Sequence, residues 1–115
     1  MAMETAHPVV LFDGVCNLCN GAVQLILRRD PTVAEINAAV RRAAEGPLKG
    51  ILEYCDRPIV SSDVIGNPHS SIFDALSTLT VGEGFVKVLA WYDNEWGYAS
   101  RLVDLIDRMT KLDRG

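Results

Sequence analysis

The sequence predicts an α/β protein of the α+β type: a mixed, largely antiparallel sheet of four to five strands packed against three helices, in the order β-α-α-β-β-β-α. Three observations carry this. Apolar residues recur at helical spacing in three separate stretches, short runs rich in β-branched and aromatic residues lie between the second and the third, and glycine and proline mark the borders. The 115 residues are 49% hydrophobic and 23% charged, with 9 Gly and 5 Pro, which is the composition of a folded domain with one core. A single compact domain over residues 1–115 is therefore expected.

The elements follow in chain order. Val9-Val10-Leu11-Phe12 reads as a short buried strand closed by the turn Asp13-Gly14. From Leu18 to Leu27 the apolar residues cover more than one face of a helix. Arg28 and Arg29 suit its C-terminal end, and Asp30-Pro31 stops it. Thr32 then caps a second helix with Glu35 completing a capping box, and Val33, Ile36, Val40, Ala43 and Ala44 form a narrow inner stripe up to Gly46-Pro47. Strands are expected at Ile51 to Cys55 and Pro58 to Ser61, as one strand or a kinked pair, then at Ser71 to Val81 and at Phe85 to Tyr92. Gly82-Glu83-Gly84 makes the last two antiparallel neighbours. A closing helix runs from about Glu95 to Leu112, with Tyr98, Leu102, Leu105, Ile106, Met109 and Leu112 on one stripe.

Charge narrows the function classes. Fifteen acidic against 11 basic residues give a net charge of −4, which removes the general attraction to nucleic acid or anionic membranes. No apolar run approaches a membrane span, and Met1 to Pro8 lacks the basic start and apolar stretch of a signal peptide. A cytoplasmic protein is expected. Its three cysteines are too few for a disulfide framework.

Two of them form the motif Cys16-Asn17-Leu18-Cys19, where a strand is expected to turn into a helix. Backbone N–H groups and the helix dipole there would stabilise a thiolate at Cys16, and Cys19, one turn along, would resolve a mixed disulfide formed with a protein or small-molecule thiol. Two small buried residues or half of a zinc site fit the same pattern, but Cys55 and His69 lack the close spacing of a second ligand pair, so no metal site is assigned. Cys55, with no histidine near it in sequence, reads as structural. His69 beside Ser70 has no G-x-S-x-G elbow, and a loop histidine bonded to backbone is expected. Gly82-Glu83-Gly84 is too short for a phosphate loop.

Two stretches resemble known families. VVLFDGVCNLCNGAVQLILRRDP, residues 9–31, resembles the start of the DCC family of thiol-disulfide oxidoreductases, which are thioredoxin-like. Residues 32–112 resemble the C-terminal part of the glyceraldehyde-3-phosphate dehydrogenase catalytic domain through TVAEINAAVRRAAEGPLKGIL, SSDVIGNPHSSIFDA and WYDNEWGYASRLVDLI. Together they imply a chimera joined near Asp30-Pro31-Thr32, with Cys16 and Cys19 as its catalytic pair and thiol-disulfide exchange as its residual chemistry. The dehydrogenase resemblance implies that Asn94 holds the nicotinamide carboxamide of NAD and that Tyr98 stands beside the ring. Asn94 as the cap of the closing helix, with Tyr98 on its inner stripe, is the other reading of the same residues. The chain has neither G-x-G-x-x-G nor the family's Ser-Cys-Thr-Thr-Asn nucleophile run, so no cofactor is required for what it does alone. A dehydrogenase fragment active only with complementing segments, or an oligomerisation module associating through its sheet, is the alternative.

Overall fold

The computed structural model describes residues 31–82 and 85–115. The expected strand at Val9 to Phe12, the helix at Leu18 to Leu27 and the Cys16–Cys19 motif lie outside the described residues. Helix α1 (Val33–Glu45) opens with the expected capping box. The Thr32 hydroxyl accepts the Glu35 N–H at 3.2 Å, and the Glu35 carboxylate accepts the Thr32 N–H at 2.8 Å, satisfying two donors that a helix start leaves open. Ile36 and Val40 are buried, with Ala43 and Ala44 packed beside them. Four of the five residues of the stripe read from the sequence thus face the core, and Val33, half-buried in the first turn, is outside the cluster.

Strand β1 (Leu52–Cys55) pairs in parallel with β2 (Ser71–Asp74), which pairs on its other edge, antiparallel, with β5 (Ala90–Trp91). Every residue of the central strand β2 is buried. Its neighbouring residues Ile72 and Phe73 belong to two different clusters, as the alternation of side chains in a strand requires. Phe73 joins Ile36, Val40, Leu52, Ala75 and Val86 under α1, while Ile72 joins Cys55 and Val64, with Ile59 and Trp91 alongside. Strands β3 (Leu79–Val81) and β4 (Phe85–Lys87) form a separate antiparallel pair in which Val81 opposes Phe85, and Gly82 adopts the left-handed φ of 61° that the turn between them needs. Helix α2 (Asn94–Asp113) closes the chain.

The fold is therefore mixed α+β, with one parallel and two antiparallel strand pairs. The five described strands are divided between two sheets instead of forming one. The long strand expected over Ser71 to Val81 breaks at a 3₁₀ turn, Ala75–Ser77. There the buried Asp74 carboxylate accepts hydrogen bonds from Ser77 Oγ (2.9 Å) and Trp91 Nε1 (3.2 Å), and such side-chain bonding competes with a continued ladder. The strand expected over Phe85 to Tyr92 is likewise two strands, one in each sheet. Pro58 to Ser61 is not a strand: proline lacks the ladder donor, and the chain runs into the 3₁₀ turn Ser61–Val64 instead.

Candidate functional site

The chemistry-bearing residues of the second half gather at the start of α2. Asp93 is the helix cap. Its Oδ1 accepts the N–H groups of Glu95 (3.2 Å) and Trp96 (2.9 Å), and its Oδ2 accepts the Gly66 N–H at 2.8 Å from a loop 27 residues upstream. These three bonds, that from Gly66 first and that from Trp96 next, hold the Asp93 carboxyl below the usual carboxylate range. Asn94 is therefore not the cap. It is the first helical residue, exposed, and its side-chain amide has no hydrogen-bond partner among the described residues.

Tyr98, one turn on, is 67% exposed and does not pack on an inner stripe. The face that docks α2 is a different one, at Asp93, Gly97 and Arg101. A Cβ at Gly97 would stand 3.1 Å from the His69 carbonyl oxygen, a tight contact with backbone, so a larger residue here would push the helix or the loop back by a few tenths of an ångström. Arg101 Nη1 donates to Ser70 Oγ at 3.2 Å and lies 3.5 Å from the Gly50 carbonyl oxygen. Its Nε stands 3.0 Å from Asp104 Oδ2, an ion pair whose alignment is not that of a hydrogen bond. Positions 93, 97 and 101 share one side of the helix, and positions 94 and 98 share the next. The expected inner stripe continues along that outer side. Leu102, Leu105, Ile106, Met109 and Leu112 are all exposed, and Gly97 is the one buried residue of α2.

Behind the docked face lies a polar group, Glu53, Asn67 and His69. His69 Nδ1 is 2.7 Å from Asn67 Oδ1 and 3.2 Å from Glu53 Oε2, while Asn67 Nδ2 donates to Glu53 Oε2 at 2.9 Å. Two acceptors around Nδ1 favour the tautomer protonated there. The partners of the histidine ring are thus side chains, where backbone was expected. Ser70 Oγ accepts from Arg101. Glu53 and Asn67 also line a cleft of about 250 Å³ with Cys55, Arg57, Asp63 and Val64. Cys55 is buried there, its thiol donating to the Arg57 carbonyl at 3.4 Å, as suits a structural residue. No group of three or more His, Cys, Asp or Glu residues placed to hold a metal ion occurs among the described residues, and no described helix is long and apolar enough to cross a membrane.

Residues 15–94 match the family model described as glyceraldehyde 3-phosphate dehydrogenase, C-terminal domain. Among similar proteins, the glyceraldehyde-3-phosphate dehydrogenase 1 of Trichoderma koningii is 52% identical over 76% of this chain and 26% of its own length. The glyceraldehyde-3-phosphate dehydrogenase of Borreliella burgdorferi is 54% identical over 73% of this chain and 25% of its own. That of Schistosoma mansoni is 47% identical over 98% of this chain and 31% of its own. The chain thus spans about a quarter to a third of the length of these relatives. The family match begins within residues 9–31 and crosses Asp30-Pro31-Thr32, and the Schistosoma alignment takes in nearly the whole chain. These findings give no support to a thiol-disulfide oxidoreductase segment or to a fusion at that point.

Proposed function

The chain belongs to the glyceraldehyde 3-phosphate dehydrogenase C-terminal domain family, and from that premise we propose that it supplies the nicotinamide-facing end of an NAD-dependent dehydrogenase and works together with complementing segments. The observation that carries this reading is the pairing of Asn94 and Tyr98: an unengaged side-chain amide and an exposed aromatic ring, one turn apart on a helix docked through its other side. A primary amide offers both a donor and an acceptor to the carboxamide of nicotinamide, and a ring beside it offers an apolar face. Among the described residues these two suit the nicotinamide end alone. The G-x-G-x-x-G turn that seats a dinucleotide's pyrophosphate on a helix N-terminus does not occur in these 115 residues.

When bound, NAD supplies the hydride acceptor. The role of this chain is to hold and orient the carboxamide through Asn94 while Tyr98 limits the position of the ring. The apolar side of α2 beyond Tyr98 continues the same face, so segments that cover it would bring their own groups up to Asn94. These segments would also supply the Ser-Cys-Thr-Thr-Asn nucleophile run and its base, since that run does not occur in these 115 residues and Cys55, the one cysteine among the described residues, is buried and bonded to backbone. A cytoplasmic setting and association with further copies of the chain belong to the same reading.

The test is complementation. The chain is mixed with the remaining portion of the Schistosoma mansoni dehydrogenase, and NAD binding and aldehyde oxidation are followed by calorimetry and by absorbance of the reduced cofactor. Turnover is expected from the mixture and not from the chain alone, and Asn94→Ala is expected to weaken NAD binding about tenfold, the worth of one good polar contact. The reading fails if the chain adds nothing to what the other portion binds or turns over by itself.

A further inference from the structure

We propose that Asp93 is a positioning residue for the nicotinamide contact: its carboxylate ties the first turn of α2 to the Gly66 loop and thereby sets where Asn94 presents its amide. The inference rests on the function proposed above and adds to it a residue that touches no ligand. Asp93 uses both oxygens. Oδ1 caps the helix through Glu95 and Trp96, and Oδ2 takes the Gly66 N–H at 2.8 Å. Cap and clamp therefore meet in one side chain, directly before Asn94.

The clamp has geometric support on both sides. Gly66 adopts a φ of 78°, open to glycine and strained for other residues, at the point where its N–H meets Asp93. One turn further along α2, Gly97 lies against the His69 carbonyl, and Arg101 reaches Ser70. These later contacts hold the helix on the domain. Ahead of Gly97, Asp93 is the tie beside Asn94, which is itself exposed and unbonded among the described residues. An amide that has to meet a flat carboxamide loses affinity through small misplacements, so fixing its backbone limits the freedom given up on binding.

Asparagine separates the two jobs. It is as good a helix cap as aspartate, but it has a single acceptor oxygen. In Asp93→Asn the cap therefore survives while an NH₂ group replaces the oxygen that faces Gly66. In the complemented assembly this variant is expected to bind NAD about tenfold more weakly, the worth of one well-placed hydrogen bond, and ADP-ribose, which lacks nicotinamide, as the parent does. In the chain alone it is expected to keep its helix content by circular dichroism and to lose protection of the Gly66 amide in hydrogen exchange. Equal loss for both ligands would reveal a merely structural role and overturn the proposal, as would unchanged NAD affinity or an undiminished Gly66 protection. The control is Asn94→Ala. If it weakens NAD while Asp93→Asn does not, positioning falls alone; if it leaves NAD binding intact, the proposed function falls and takes positioning with it.

Discussion

Helices α1 and α2 are both amphipathic, yet they sit in opposite environments. Ile36 and Val40 of α1 are 1% and 7% exposed, whereas Leu105 and Met109 of α2 are 53% and 58% exposed. The apolar side of α1 lies on β1, β2 and the Phe73–Val86 cluster. Helix α2 is held through small and charged residues on its other side, Asp93, Gly97 and Arg101. Periodicity in a sequence thus states that a face is to be covered; it does not say by what. The burial of α1 belongs to the fold, and the apolar face of α2 is left for something other than the described residues to cover.

The largest effect expected from this contrast is on stability. Ile36→Ala removes a fully buried side chain from the cluster under α1 and should cost about 2–5 kcal/mol in urea denaturation. Leu105→Ala, on the exposed face of α2, should stay within about 0.5 kcal/mol of the parent, as surface substitutions do, but weaken association with the complementing dehydrogenase portion. Equal losses for the two variants in the isolated chain would mean that the α2 face is already covered within it, and the comparison would break.

A second experiment sharpens the contrast at the docked side. Gly97→Val places a branched side chain against the His69 carbonyl, a backbone atom whose neighbour Ser70 N–H is bonded to the Ile51 carbonyl oxygen at 2.8 Å. Overpacking of about 1–3 kcal/mol is expected, even though valine forms helices better than glycine does. A variant as stable as the parent would show that α2 is not held at this point. At the start of α1, Thr32→Ala should cost about 1 kcal/mol through loss of the cap, checked by the same denaturation series.

How much of this was legible in the sequence follows from how local each signal is. The α1 capping box spans four residues, and its stripe needs nothing beyond its own period, so both were readable. The hairpin at Gly82 was readable for the same reason. The break of the long strand after Asp74 was less so: Ser77, which bonds the Asp74 carboxylate, is local, but Trp91, which bonds the same oxygen, is 17 residues away. The choice of Asp93 over Asn94 as the cap of α2 was not. Both residue types are good caps, and what separates them is the Gly66 N–H, which calls for a second acceptor oxygen that a carboxylate has and an amide, already capping, lacks. The polar group of Glu53, Asn67 and His69 depends in the same way on a strand and a loop meeting. Asn94 and Tyr98 are legible through the family resemblance, and their exposure on a single helix side is visible only in three dimensions.

The smallest effect expected is also the most specific to Asp93. Hydrogen bonds from Gly66, Trp96 and Glu95 lower the pKa of its carboxyl in the folded chain, whereas in the unfolded chain it titrates near the usual aspartate value of about 3.9. The folded form thus holds its proton less tightly. The stability it contributes is complete above the unfolded value and is lost as the pH falls through the lower, folded value. Between about pH 5 and 7, well above the aspartate value, Asp93→Asn and the parent should differ by a constant amount. Below about pH 4 that difference should shrink, as the parent's carboxyl takes up the proton that ends its bond with Gly66. Other carboxylates titrate in both proteins and cancel in the comparison. Urea midpoints of the two proteins across this range provide the measurement, with hydrogen exchange at Gly66 as the local readout. A difference that stays constant down to the lowest pH at which both remain folded would mean that the charge on Asp93 does not hold the first turn of α2, and that its clamp is no stronger than a neutral hydrogen bond.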